Sequence, residues 1–521
     1  MRTVVELARW SWAQLTSMRT ALFLLFLLAV AAIPGSMIPQ RSVSPINVLD
    51  FKQAHPELDR FYEPLGFYEV YSSPWFSAIY LLLFVSLVGC ILPRIGVYAR
   101  AVRTPPPKIP KRLDRLPAYA RADAADPDLG LAERWLRQRR FRVVTTADGV
   151  AAERGYLREA GNIVFHLGLV FILAGVAWSN LAGFRGSAVI VEGQGFSNNI
   201  TQYDDLSAGG LVDTERLRPF TVKLNRFIAE FETGEVQRGA ARRFEAHVEV
   251  TDGGEHRGET IEVNHPLDLG GTKVHLIGHG YAAHVTVKDG AGEVAFSGPV
   301  VFLPQDGNFT SSGVIKVPDA RPQRLAFEGL FLPTATIDMR GPHSLFPDAY
   351  AVELFVNAWH GDPKAETGRP ENVYTLDTAG LAPVTQPDGT PLRVQLKPGQ
   401  GFDLPNGLGS VSFDGWSRWV KLQISDTPGI PLALAALAAA ITGICLSLFI
   451  RPRRLWVRRT DTGIEAGGLD RADASVGLDE DVAALAALFQ TGAPERGNVT
   501  AVEQSAGMGG VRTDEEAESA R

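Results

Sequence analysis

Four apolar runs constrain this chain more than any other feature. They are Thr20–Ile38 (TALFLLFLLAVAAIPGSMI), Phe76–Pro93 (FSAIYLLLFVSLVGCILP), Gly161–Ala182 (GNIVFHLGLVFILAGVAWSNLA) and Gly429–Ile450 (GIPLALAALAAAITGICLSLFI). None contains Asp, Glu, Lys or Arg. Each is close to the ~20 residues that a helix rising ~1.5 Å per residue needs to cross ~30 Å of hydrocarbon. The sequence therefore predicts a membrane protein with four transmembrane α-helices, at 20–38, 76–93, 161–182 and 429–450. The first run reads as a membrane helix rather than a signal peptide. It begins at residue 20 and shows no clear small-x-small cleavage site. Pro34 and Gly35 suit a helix that ends in a bend.

Basic residues set the expected orientation. Arg2, Arg9 and Arg19 precede the first run, a basic stretch from Arg94 to Arg115 follows the second, and RPRRLWVRR (451–459) follows the fourth. The loop 39–75 is acidic instead, with Asp50, Glu57, Asp59, Glu63 and Glu69. Both termini (1–19 and 451–521) and residues 94–160 are expected in the cytoplasm of a multi-pass plasma-membrane protein. Residues 39–75 and 183–428 are expected outside. Trp10, Trp12, Trp75, Trp178, Trp416, Trp419 and Trp456 fall near proposed boundaries, where an indole keeps its ring apolar and its N–H wet. Trp135 and Trp359 read as core residues.

The two cysteines, Cys90 and Cys445, both lie inside apolar runs. The outer region therefore has no disulfide. Without CxxC the chain is not a thioredoxin-like thiol enzyme, and without CxxCH it is not itself a c-type cytochrome. No nucleotide loop, zincin helix or nucleophile elbow is present.

Between the runs, residues 94–160 open with a stiff proline-rich stretch (TPPPKIPKRL). The spacing then predicts a helix over 128–139 and a hairpin of RFRVVTT with GVAAERGYL, a small α+β segment. Residues 183–428 repeat strand and turn, with period-two alternation in VKLNRF and HVEV and Asp-Gly or Gly-Gly at turns. A large β-rich, sandwich-like domain is expected there. In the tail 451–521, LDEDVAALAALFQ (478–490) has the pattern of an amphipathic helix, and the rest reads as largely disordered.

His166 is the residue that needs explaining. An ionisable side chain inside a spanning helix marks a functional site by default. It lies ~8 Å from the cytoplasmic edge at ~1.5 Å per residue. Its imidazole reads equally well as a ligand and as a group bonded to a neighbouring helix. Haem suits it, because haem supplies an iron for one nitrogen and an apolar ring for the surroundings. Cys90 lies at a similar depth. A thiolate can ligate iron or attach to a haem vinyl group, although a buried cysteine is more often a small apolar filler, the reading given to Cys445. In KVHLIGHGYAAH, His275, His279 and Tyr281 share one strand face by their even spacing, but a metal site would need a third ligand from elsewhere.

Several segments together resemble the ResB (CcsB) family of cytochrome c biogenesis proteins. They are SWAQLTSMRTALFLLFLLAVAAIPGSMIPQR, LVGCILPR, GYLREAGNIVFHLGLVFILAG, PFTVKLNRFIAEF, VNHPLDLGGTKVHLIGHGY and WVKLQISDTPGIPLAL, in the family's order. The family's approach to the fourth helix reads Asp-Pro-Gly, where Asp426, Thr427, Pro428 and Gly429 here insert a residue. The resemblance implies a subunit of a System II cytochrome c synthase that works with a CcsA (ResC) membrane partner. Together they would carry haem across the membrane and present it, with apocytochrome c, for covalent attachment. It implies His166 as an axial haem-iron ligand, Cys90 as a haem contact, and an accessory rather than catalytic role. A thioredoxin-like thiol reductant is a further implied partner. Two other readings compete. One is a cofactor-free membrane scaffold that holds apocytochrome c or the thiol-reducing partner. The other is a sensor signalling to the tail, which shows no kinase-like or DNA-binding pattern.

Overall fold

A computed structural model describes residues 2–41, 43, 45–155, 157–363, 374–470 and 477–490. Its α-helices among these are α1 (Arg2–Leu15), α2 (Met18–Met37), α3 (Pro45–Ala54), α4 (Pro56–Tyr62), α5 (Pro74–Arg103), α6 (Leu129–Gln138), α7 (Leu157–Ala182), α8 (Ile430–Phe449) and α9 (Leu478–Ala487). Four of them, α2, α5, α7 and α8, are long and apolar enough to cross a membrane. They cover the four apolar runs to within one residue at the ends of α2 and α8, and α5 continues past its run through Arg103. The chain divides into two compact units, residues 1–91 with 166–441 and residues 92–165 with 442–521. The boundary falls within α5, α7 and α8.

In the first unit, Ser17 caps α2, its side chain accepting from the Thr20 N–H at 3.2 Å. The far end of α2 meets the short 3-10 segment Phe67–Ser72. A Cβ on Gly35 would come within 2.8 Å of the Tyr71 ring. There Gln40 donates to the Phe67 carbonyl and accepts from the Val70 N–H. The expected acidic loop is thus folded back through Gln40 and through ion pairs of Arg41 with Glu63 and Glu69.

Residues 183–428 are β-rich, and their described helical turns are short 3-10 pieces. One sheet is built on the antiparallel pair Thr272–Asp289 and Gly409–Asp426, registered from Thr272↔Asp426 to Asp289↔Gly409. A separate four-stranded sheet holds Phe220–Phe231, Ala241–Asp252, Glu255–Glu262 and Gly195–Ser197. The apolar sides of both contribute to one core, in which Val222, Leu224 and Val248 join Val274, Val420 and Leu422. A second core lies further along the same long strands, around Tyr281, Val285, Phe327 and Phe413.

The second unit is a five-stranded antiparallel sheet in the order Ala118–Asp123, Gly463–Asp470, Arg453–Thr460, Gly149–Arg154 and Arg142–Thr146. The amphipathic spacing in α6 turns Leu129, Ala132 and Leu136 onto the sheet, where they meet Val482 and Leu485 of α9 and Val457 and Ile464 of the strands. Here the structure departs from the expected disordered tail. Residues 453–470 supply two central strands, while the helix expected at 478–490 spans 478–487 and is packed, and 471–476 and 491–521 lie outside the described residues. Burying Leu455, Val457, Ile464 and Ala466 against partners more than 300 residues earlier in the chain is the physical reason, since a period-two pattern says nothing about so distant a partner.

Three of the seven tryptophans expected at a membrane boundary sit elsewhere. Trp419 is only 4% exposed, and its indole N–H donates to the Tyr281 and Phe302 carbonyls. It precedes Asp426 by seven residues of strand, about 23 Å. Trp416 shares that strand, and Trp456 is buried with its N–H on the Pro107 carbonyl. For Trp419 and Trp456 the ring fills a β-core whose apolar demand resembles that of a membrane interface, whereas Trp416 is exposed with its ring edge-on to Tyr281.

Candidate functional site

The helix that carries His166 has two distinct sides. Gly161, Gly168 and Gly175 recur every seven residues, which keeps them within about 40° of one another around the axis. This stripe meets α8 at backbone distance. A Cβ on Gly168 would lie 2.7 Å from the Ala440 Cβ and 2.8 Å from the Ala436 carbonyl oxygen. On Gly175 it would lie 2.8 Å from the Gly429 carbonyl, and on Gly161 2.6 Å from that of Gly443. Small residues of this kind let helices associate where lipid supplies no hydrophobic drive. The Gly429 N–H also bonds Ser179 Oγ, at 3.0 Å.

His166 is two residues from Gly168 and therefore about 160° around the helix. It is half-buried, on the side of α7 turned away from α8. Leu173, seven residues on, shares that side to within about 20°. The Leu173 carbonyl accepts a hydrogen bond from Tyr80 Oη of α5 at 2.5 Å. So α5 meets α7 on the His166 side, and α8 holds the opposite one.

Cys90 stands about 80° around α5 from Tyr80. Its thiol donates to the Thr16 carbonyl at 2.7 Å. One turn earlier Ser86 Oγ donates to the Leu15 carbonyl at 2.6 Å. Between them Gly89 makes room for Thr16, since an added Cβ would lie 2.9 Å from the Thr16 Cβ. Leu15 and Thr16 mark the break between α1 and α2, where helix carbonyls lose their intrahelical donors. Ser86 and Cys90 replace those donors. Cys445 is exposed on α8.

Haem asks for an imidazole nitrogen beside apolar surface. His166 has that chemistry. Cys90 fits less well, because ligation needs the thiolate and its proton is engaged with Thr16.

In the β-rich region the expected shared face of His275, His279 and Tyr281 does not exist. A bulge inserts Ile277 between the pairs Leu276↔Leu422 and Gly278↔Lys421, and one extra residue reverses which side each later residue faces. His275 pairs with Gln423 on the side away from the core. His279 pairs with Val420, a core residue. Its ring lies 4.5 Å from Phe244, 4.8 Å from Phe309 and 5.1 Å from Phe227, centroid to centroid. Burial, and secondarily the Arg418 charge, push the His279 imidazole down to about 3. Its Nδ1 is buried without a hydrogen-bond partner among the described residues. Phe309 reaches this ring from a backbone at φ 62°, a left-handed conformation that bulky residues rarely adopt. Asp306 holds the turn, its carboxylate accepting from the N–H groups of Asn308 and Thr310.

Beside this box Arg418 lies over the Tyr281 ring and pairs with Asp348 at 2.6 Å. The sequence gives no local sign of the assembly, because six separate segments build it. Among the described residues no group of three or more His, Cys, Asp or Glu side chains is placed to hold a metal ion.

A sequence model described as the ResB-like family matches residues 18–483. Cytochrome c biogenesis protein CcsB of Synechococcus sp. (strain JA-3-3Ab) is 26% identical over 461 residues, covering 87% of this chain and 85% of that protein. CcsB of Gloeobacter violaceus is 25% identical over 519 residues, covering 96% and 94%. CcsB of Nostoc sp. is 24% identical over 478 residues, covering 90% of each.

Proposed function

The chain belongs to the ResB-like family, and on that premise we propose that it is the haem-handling subunit of a two-protein cytochrome c assembly machine. A role in cytochrome c biogenesis accords with the relatives that carry that name over most of both chains. The arginines after α5 and α8 support a plasma-membrane topology with both termini and residues 94–160 cytoplasmic, and 39–75 and 183–428 outside.

In this reading haem supplies the iron that cytochrome c needs, and the chain's own residues receive it. His166 offers one imidazole nitrogen near the inner edge of the bilayer. The glycine stripe against α8 and the Tyr80 bond to Leu173 fix the rotation of α7, and so the direction of the imidazole. A CcsA (ResC)-type partner would complete the haem site and carry out thioether formation, which makes this chain an accessory rather than a catalytic subunit. Outside, the β-rich region, with two sheets sharing one core in a sandwich-like way, holds apocytochrome c, whose cysteines a thioredoxin-like reductant keeps reduced. Cys90 is given a different role, that of joining α5 to the α1–α2 break.

The observation that carries this reading is the side of α7 on which His166 lies, turned from α8. The test is the Soret and pyridine hemochrome spectrum of the chain purified with its partner. His166→Ala loses haem, and added imidazole partly restores it. An unchanged spectrum would favour the cofactor-free scaffold instead.

A further inference from the structure

We infer that α1 is an interfacial helix, lying along the membrane surface with its apolar side in the acyl boundary and anionic phospholipid headgroups as its partner. The sequence RTVVELARWSWAQL winds Val4, Ala8 and Leu15 onto one stripe, with Val5 and Trp12 beside it, at about 100° per residue. Glu6, Arg9 and Ala13 fall on the other side. A helix with this contrast between its sides and little net hydrophobicity belongs at an interface rather than across a bilayer.

Most of that apolar side is left open by the described chain, apart from its C-terminal end, where Leu15 is half-buried and the Trp12 ring reaches Gly89 of α5. Val4 is 69% exposed, Val5 56% and Trp12 55%. What fixes its place is its C-terminal end. Only Thr16 and Ser17 separate α1 from α2, a span-length apolar helix. The Leu15 and Thr16 carbonyls are tied to Ser86 and Cys90 of α5, a second such helix. A helix moored at that point to two spanning helices cannot stand free in bulk water along its whole length. Carbonyls exposed at a helix break inside hydrocarbon would be costly, and the two α5 donors remove that cost. The charge matches a lipid surface as well. Arg9 and Arg19 are exposed, and among the side chains described from Val4 to Arg19 Glu6 is the one acid. Basic residues on the polar side of an interfacial helix are drawn to anionic headgroups. Lipid on this helix would hold the α1–α2 break against the Ser86–Cys90 face of α5.

The test is site-directed spin labelling of the full chain with its membrane partner, in nanodiscs of phosphatidylcholine with phosphatidylglycerol. Single cysteines are placed at positions 4 to 14 in a Cys90→Ser, Cys445→Ala background. The expected result is a 3.6-residue oscillation. Collision with oxygen peaks at 4, 8 and 12, and collision with a water-soluble nickel chelate peaks at 6, 9 and 13. Uniform access to the nickel chelate would overturn the proposal by showing a helix in water. Labels at 4, 8 and 12 shielded from both reagents would also overturn it, by showing a protein partner on that side. Nanodiscs of phosphatidylcholine alone are expected to reduce the oxygen peaks at least twofold. Identical profiles in the two lipids would overturn the assignment of anionic headgroups.

Discussion

The thiol of Cys90 points at the carbonyl of Thr16, 2.7 Å away. A cysteine in a spanning helix beside a proposed haem path invites a chemical role, but here its proton satisfies the end of another helix. Cys90→Ser, which keeps a donor, is expected to leave stability and haem content unchanged. Cys90→Ala should cost about 0.6–2 kcal/mol, the range for an interhelical hydrogen bond in a membrane, and should still leave haem content intact. Thermal unfolding in detergent and the pyridine hemochrome assay measure the two effects. Loss of haem in both variants would return Cys90 to the haem site.

Gly168 is the mid-point of the α7–α8 contact, where an added Cβ would lie 2.7 Å from that of Ala440. Gly168→Val is expected to destabilise the protein by about 1–3 kcal/mol, the usual cost of overpacking. It should also lower haem retention, because α7 must shift or turn to relieve the clash and His166 turns with it. Gly168→Val with Ala440→Gly should recover part of both losses. Unfolding in denaturant and the Soret band report them.

His279 gives the β-rich region an acid sensitivity. Its imidazole titrates near 3 when folded and near 6.5 when unfolded. Between those values the unfolded state binds more protons, so stability is complete above about pH 6.5 and is lost as the pH falls toward 3. At pH 5 the loss from this group is on the order of 2 kcal/mol. His279→Phe should flatten the pH dependence of unfolding between pH 7 and 5. An unchanged slope would show that the ring is not held neutral in its phenylalanine box.

Arg453 ties α9 to the five-stranded sheet. Its side chain is 7% exposed and pairs with Asp470 at 2.9 Å and with Asp481 of α9. Removing one partner of a buried ion pair costs about 3–5 kcal/mol, because the remaining charges stay buried. Arg453→Met should therefore speed amide hydrogen exchange throughout 478–487 while leaving exchange in 272–289 unchanged. Equal protection of α9 in both proteins would show that apolar contacts alone hold that helix.

Much of this architecture is legible in local sequence. The uncharged runs of about 20 residues fix the four apolar helices, because bilayer thickness and helix rise leave one solution. Asp128 ahead of the LGLAERWLRQ spacing marks α6, whose observed cap it is. Period-two alternation marks the strand Phe220–Phe231. His166 stands out in the sequence because an imidazole is costly in hydrocarbon wherever the helix turns it.

Other features depend on partners that no local pattern names. The bulge at Ile277 parts His275 from His279, and it exists because the opposing strand supplies one residue fewer. The strands 453–470 find their edges on residues 118–154 across the intervening β-rich region, so a stretch that reads as tail becomes the middle of a sheet. The sequence by itself determined which segments must leave water, since burial energy and backbone satisfaction are set residue by residue. Tertiary structure alone decided which groups meet there, Cys90 with Thr16, Tyr80 with Leu173 and His279 with Phe227, Phe244 and Phe309, because a contact is a property of two segments and the chain between them carries no record of it.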